Sequence, residues 1–176
     1  YGYAKRCLAV QIDSYNKQFG VNYNYLIPSN LYGEYDNYGE SSHYVASLIN
    51  KIRIALKNKD SYIQLFGTGK PLRQFMYAED LAKAIVETIN KKDGFNYNIC
   101  CPENKSILEI ANIALKACDA EHLKIIWDKS KPDGQFRKDA SSEKFLLDFP
   151  NFKFTSLFEG IQKTYNIKYN ECLEIK

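Results

Sequence analysis

Apolar residues recur at helical spacing from the first residue onward. Ala4, Cys7, Leu8, Ile12, Tyr15 and Phe19 predict a helix over 1–19, and Gly20 follows as its stop. Val21 to Ile27 alternates and is rich in Tyr and Val, which predicts a strand ended by Pro28, followed by a loop from Ser29 to about Ser41. Val45, Leu48, Ile49, Ile52 and Leu56 predict a second helix over 42–57. Short strands are expected at 62–66 and 73–77, joined by the turn Gly67-Thr68-Gly69-Lys70-Pro71. Glu79 and Asp80 open a helix to about Asn90, with acidic residues where the helix dipole favours them. A strand over 95–100 precedes Ser106-Ile107-Leu108-Glu109, a capping box starting a helix to Ala117. A strand at 123–127, a polar loop over 128–138 and helices near 141–147 and 156–165 complete the chain. Strands alternating with helices predict an α/β fold.

Composition narrows the class. The 176 residues, 45% hydrophobic and 26% charged, suffice for a real core. A net charge of +3 with interspersed signs is too small for a dedicated nucleic-acid surface. No apolar run approaches a membrane span, and no signal peptide is visible. The five cysteines, Cys7, Cys100, Cys101, Cys118 and Cys172, lack metal-ligand spacing and read as reduced thiols, mostly in core positions of a cytoplasmic protein. No metal site is expected. The chain has no initiator Met and starts inside a candidate site, which points to the C-terminal part of something longer.

That candidate site begins with Tyr1-x-x-x-Lys5. Positions four apart share a helix face. An ammonium beside a phenol favours the phenolate, so such a pair can serve as a general acid or base. Tyr and Lys are abundant here, so one such spacing also arises by chance. Three further segments change the weighing: Pro28-Ser29-Asn30-Leu31-Tyr32-Gly33, Phe66 to Tyr77 (with Gly67-Thr68-Gly69, Lys70-Pro71 and Arg73), and Asp80-Leu81-Ala82. No G-x-G-x-x-G loop occurs.

In order and spacing these four segments resemble the C-terminal half of an extended short-chain dehydrogenase/reductase acting on nucleotide sugars. Asp36-Asn37 with Ser42-His43, and Lys131-Pro132-Asp133-Gly134 with Arg137-Lys138, are similar to the GDP-L-fucose synthase family. The resemblance implies the end of a Rossmann-type parallel sheet over residues 1–33, with a possible sheet return near 62–100, and a smaller α/β substrate-binding domain mainly over 34–176. It implies an NADP(H)-dependent enzyme that epimerises C3 and C5 of a GDP-4-keto-6-deoxy-mannose-type sugar and reduces C4. A GDP-4-keto-heptose substrate leaves the motifs untouched.

The resemblance also assigns roles. Tyr1 protonates the C4 oxygen, and Lys5 holds the nicotinamide ribose. Pro28, Ser29, Asn30 and Leu31 bracket the nicotinamide from a strand end, the usual place for a cofactor edge, and Asn30 also meets substrate. His43 partners a cysteine from the other half of the enzyme in epimerisation and borders the cofactor; a helix-start histidine bonding backbone is its plain alternative. Arg73, one of four arginines, suits the diphosphate because guanidinium binds phosphate as a fork. Lys51 stands where the family has arginine, keeping charge but losing the fork. Phe66 stands where the family has tryptophan, keeping an apolar face but losing an N–H donor. Asp133 and Lys138 match substrate contacts; solvated loop charges are the alternative for both.

The first helix has a broad apolar face. The resemblance implies a homodimer through it, while burial against its own domain explains the same pattern. Two rival functions remain: a nucleotide-sugar 4-epimerase or 4,6-dehydratase, which has no need of His43 or the late Lys-Pro-Asp-Gly, and a non-catalytic binding or regulatory subunit on the same fold.

Overall fold

A computed structural model describes residues 1–39, 41–89 and 96–167. In chain order the elements are α1 (Gly2–Phe19), β1 (Tyr25–Pro28), β2 (Asn30–Tyr32), α2 (Tyr44–Asn58), β3 (Tyr62–Phe66), β4 (Leu72–Arg73), β5 (Phe75–Tyr77), α3 (Ala78–Ile89), β6 (Asn96–Ile99), β7 (Lys105–Ser106), α4 (Ile107–Ala117), β8 (Lys124–Asp128), β9 (Arg137–Lys138), α5 (Glu143–Asp148) and α6 (Leu157–Asn166). The fold is α/β, and parallel pairing dominates. β1 pairs with β6, β2 with β5 and β3 with β8, all parallel. β4 lies between β7, antiparallel to it, and β9, parallel to it.

Two cores flank the β2–β5 ladder. Successive strand residues point to opposite faces. Tyr32 and Tyr77 therefore enter one core, with α2, α4, α6 and β3, while Leu31 and Met76 face the other, with Tyr97, Ile99 and Phe145. In the first core α2 buries Val45, Leu48, Ile49 and Ile52, each worth roughly 1.5–3 kcal/mol of transfer free energy. In the second, the Phe145 ring meets Tyr97, Phe149 and Phe152 with centroids 4.9–5.6 Å apart. The fully buried Asp80 ties the cores together: its carboxylate accepts from Thr155 N (2.6 Å) and Thr155 Oγ1 (2.8 Å).

Several boundaries differ from the sequence-based expectation. Residues 21–24 are not strand. The Asn16 side chain donates to Tyr23 O and accepts from Tyr23 N, both at 2.8 Å, so the backbone groups of Tyr23 bind Asn16 instead of a neighbouring strand. β1 ends at Pro28 as expected, but the expected loop over 29–41 contains β2, because residues 30–32 find a ladder partner 45 positions away in β5. The run 73–77 divides into β4 and β5. The expected polar loop over 128–138 ends in a strand, β9, recruited by β4. The capping box stands as expected, with Glu109 N donating to Ser106 Oγ and Ser106 N to Glu109 Oε2. Of the cysteines, Cys100, Cys101 and Cys118 are buried free thiols and Cys7 is exposed; Cys172, Asn90 and Phe95 lie outside the described residues. None of the residues of α1 is buried, so packing against the described residues does not account for its apolar face.

Candidate active site

The end of β1, the whole of β2, and β4 and β9 surround a cavity of about 740 Å3. Its walls include Tyr1, Pro28, Ser29, Asn30, Leu31, His43, Arg73 and Lys138, eight of the twelve candidates, from both ends of the chain's first 138 residues. Lys51, Phe66 and Asp133 border a neighbouring cavity of about 320 Å3. Tyr44 and Ile107 border both cavities, and the Tyr44 hydroxyl donates to Ile107 O at 3.1 Å.

Tyr1 caps α1 and is exposed. The Lys5 ammonium lies 5.6 Å from the centroid of its ring, one helical turn on, so the cation sits over the ring face. The strand end holds its shape through Ser29 N donating to Ile99 O (3.0 Å) and Asn30 Nδ2 donating to Gln74 O (2.8 Å). The Ser29 hydroxyl is buried in this wall with no hydrogen-bond partner. A buried polar atom left unpaired is costly, and a carboxamide such as that of nicotinamide would satisfy it.

His43 is the N-cap residue of α2, and its side chain makes no cap bond. Its Nδ1 lies 3.7 Å from Asp36 Oδ1. The loop carrying both residues is braced from within. Asp36 accepts from Asn37 N (2.8 Å), Asn37 Oδ1 from Gly39 N (2.8 Å) and Tyr38 O from Asn50 Nδ2 (3.0 Å), while the Tyr38 hydroxyl donates to Gly33 O (3.1 Å).

Arg73 and Lys138 are register partners on adjacent strands. The buried Gln74 fixes the segment after β9 by donating to Ala140 O (3.1 Å) and accepting from Ala140 N (2.8 Å). Lys51 Nζ donates to Gln64 O at 2.7 Å and lies 4.8 Å from the Phe66 ring centroid; burial pushes its pKa down. Both Asp133 oxygens are engaged by Thr68, at 2.6 Å from its N–H and 2.6 Å from its hydroxyl. Those donors hold the Asp133 carboxyl below the usual carboxylate range. Gly67, at φ +81°, makes the contact possible, since a β-carbon there would fall 2.3 Å from Asp133 Oδ1. Asp133 thus clasps the 131–134 loop to the 67–69 turn.

Sequence reasoning missed Tyr44, Phe75, Glu34 and Ile107 as walls. Tyr44 and Phe75 stack with centroids 5.9 Å apart, and the Tyr77 hydroxyl donates to Glu34 Oε1. Glu34 follows Gly33 directly and was within reach of the motif; the aromatic pair carried no local signal. Among the described residues no cluster of three or more metal-ligating side chains occurs, and no helix is long and apolar enough to cross a membrane.

Residues 1–100 match the NAD dependent epimerase/dehydratase family. The chain is 37% identical to a GDP-L-fucose synthase of Dictyostelium discoideum over 167 residues, 93% of this chain and 52% of that protein. It is 33% identical to a probable GDP-L-fucose synthase of Drosophila melanogaster, covering 98% of this chain and 57% of the relative. A GDP-L-fucose synthetase of Naegleria fowleri solved bound to NADP superposes with a TM-score of 0.87 at 34% identity, covering 99% of this chain and 56% of that one. The chain spans about half the length of the curated relatives it matches.

Proposed function

The chain belongs to the NAD dependent epimerase/dehydratase family, and from that premise we propose that it carries the proton-transfer pair, the nicotinamide wall and the sugar-nucleotide site of an NADP(H)-dependent enzyme. This enzyme epimerises C3 and C5 and reduces C4 of a GDP-4-keto-6-deoxy-mannose-type sugar, giving GDP-L-fucose or a close relative. One observation carries the reading: Tyr1, His43, Arg73 and Lys138 border a single cavity together with the strand end Pro28–Leu31. Residues 1–33 are read as the end of the dinucleotide-binding domain, and most of the remainder as the substrate domain.

The residues present fit the cofactor at the unpaired Ser29 hydroxyl and the exposed end of β1. Bound there, NADP(H) supplies the reducing equivalent for C4. Tyr1 delivers a proton to the C4 oxygen, and Lys5, one helical turn on with its ammonium 5.6 Å from the Tyr1 ring centroid, holds the nicotinamide ribose. His43, whose Nδ1 lies 3.7 Å from Asp36 Oδ1, moves protons at C3 and C5, which the adjacent ketone acidifies. Arg73 and Lys138 hold the diphosphate, and Lys51 and Phe66 line the neighbouring cavity that takes the rest of the nucleotide. Asp133 shapes that cavity through its clasp on Thr68. A homodimer through α1 belongs to the same reading, since Leu8, Tyr15 and Phe19 stay exposed.

The test joins this chain to the N-terminal half of the Dictyostelium discoideum relative and follows GDP-4-keto-6-deoxymannose and NADPH by NMR. A GDP-6-deoxy sugar reduced at C4 is expected, with Tyr1→Phe slowing reduction by about 10²-fold or more. Wild-type turnover by Tyr1→Phe ends the assignment of Tyr1. An unreduced keto sugar as the product of the unsubstituted enzyme favours a 4-epimerase or dehydratase.

A further inference from the structure

The three-stranded sheet sets a third cation level with Arg73 and Lys138. Arg73 is the register partner of Lys138 on β9 and of Lys105 on β7. Register partners project from the same face of a sheet. Arg73 and Lys105 also border one small recess, while Arg73 and Lys138 border the large cavity. The order across the sheet is therefore Lys105, Arg73, Lys138. Like charges directly opposite one another destabilise a ladder, so this row calls for an anion. Among the described residues the carboxylate that pairs with it is Glu103, whose Oε2 lies 3.1 Å from Lys105 Nζ.

We propose that Lys105 is a third anchor for the diphosphate of the sugar nucleotide, and that Glu103 is its counter-ion until the diphosphate displaces it. The inference rests on reading the large cavity as the sugar-nucleotide site. Lys105 lies outside every motif that pointed to that site. Its backbone is nonetheless rigidly placed, one residue before the capping box of α4, whose first N–H groups are stitched to the turn below: Ile107 N donates to Pro71 O and Leu108 N to Gly69 O, both at 2.9 Å. The side chains of Lys105 and Glu103 are 30% and 47% exposed, so their pairing is a weak surface one. An ammonium on a flexible four-carbon stem can leave one carboxylate for a group bearing at least two negative charges beside Arg73.

The test measures binding of GDP, and of guanosine as a phosphate-free control, by calorimetry at 50 and 200 mM salt, with this chain joined to the N-terminal half of the Dictyostelium discoideum relative as above. GDP is expected to bind the unsubstituted chain, and Arg73→Ala to weaken it by tenfold or more. Lys105→Ala and Lys105→Gln are each expected to weaken GDP binding about five- to tenfold and to make it less salt-sensitive. Guanosine affinity is expected to stay unchanged in both. Glu103→Gln, which removes the competing carboxylate, is expected to tighten GDP binding a few-fold. If Arg73→Ala weakens GDP binding while both Lys105 variants bind like the unsubstituted chain, Lys105 is no anchor although the site stands. An equal loss of guanosine binding in the Lys105 variants, or weaker GDP binding by Glu103→Gln, also overturns the inference. Failure of the unsubstituted chain to bind GDP overturns the site reading itself.

Discussion

Gly160 on α6 offers a sharp test of how the wall of the cavity is packed. A β-carbon at this position would fall 2.1 Å from the Tyr32 hydroxyl oxygen, 2.9 Å from its Cζ and 3.1 Å from its Cε2. Tyr32 is only 2% exposed, its hydroxyl has no hydrogen-bond partner, and burial raises its pKa, so the phenol stays neutral. Ordinary carbon contacts lie near ~3.5–4.0 Å, so in Gly160→Ala either α6 or the β2 ring must retreat by more than an ångström. Such overpacking costs roughly 1–3 kcal/mol. A clash this close with a fully buried ring falls in the upper half of that range, about 2–3 kcal/mol; the gain in helix propensity returns about 1 kcal/mol, leaving a net loss of about 1–2 kcal/mol. For a chain of this size that lowers Tm by roughly 2–8 °C. Tyr32→Phe removes the atom at the shortest contact and also a buried oxygen without a partner, so alone it is neutral or stabilising. Combined with Gly160→Ala it restores part of the loss, but not all, because Cζ at 2.9 Å remains. Urea unfolding of the four chains gives the cycle, with a coupling of about 1 kcal/mol expected. If Gly160→Ala unfolds at or above the unsubstituted midpoint, or Tyr32→Phe deepens its loss, the account of this contact is wrong.

Two further outcomes follow from buried and clasped carboxylates. Asp80→Ala leaves Thr155 N–H and its hydroxyl without their acceptor and is expected to cost roughly 2–5 kcal/mol; a urea midpoint within error of the unsubstituted chain would contradict the role of Asp80 as the tie between the two cores. The carboxyls of Asp133, Asp128 and Glu109 are held low chiefly by hydrogen bonds from Thr68, Ser130 and Ser106. The unfolded chain therefore binds more protons just below the ordinary carboxylate pKa of about 4, and stability rises with pH there. The contribution is full above that value and is lost as pH falls through the lower folded values. Asp133→Asn is expected to be less stable at pH 7 and to decline less steeply between pH 4 and 2; unfolding curves whose pH dependence parallels the unsubstituted chain would refute the clasp.

What the chain disclosed about its fold was what local chemistry determines. The helical spacing of Val45, Leu48, Ile49 and Ile52 placed α2 to within two residues, and Ser106-x-x-Glu109 placed the start of α4. The alternation of 62–66 placed β3. The expectations that missed concern segments whose conformation is decided by a distant partner. Val21–Asn24 has strand composition, yet a single asparagine amide seven residues back claims the backbone of Tyr23. Asn30–Tyr32 and Arg137–Lys138 have loop composition, yet each completes a ladder that β5 or β4 offers from far along the chain.

The same division runs through the site. Tyr1 with Lys5 and Gly67-Thr68-Gly69 are local arrangements, a pair one helical turn apart and a tight turn, and the structure has both. Arg73 was legible as a scarce guanidinium in a recognisable segment and Lys138 as a match to the family, but Lys105 was not, because its place beside Arg73 is set by register. Lys105 meets Arg73 only because β7 runs antiparallel to β4, and a one-residue slip would turn it to the opposite face. Asp133 reads in sequence as a substrate contact or a solvated loop charge; its clasp on Thr68, which the positive φ of Gly67 allows, is not legible there. Binding chemistry carried by a turn can thus be read from the turn, whereas a row of charges across a sheet becomes visible only once the pairing of its strands is known.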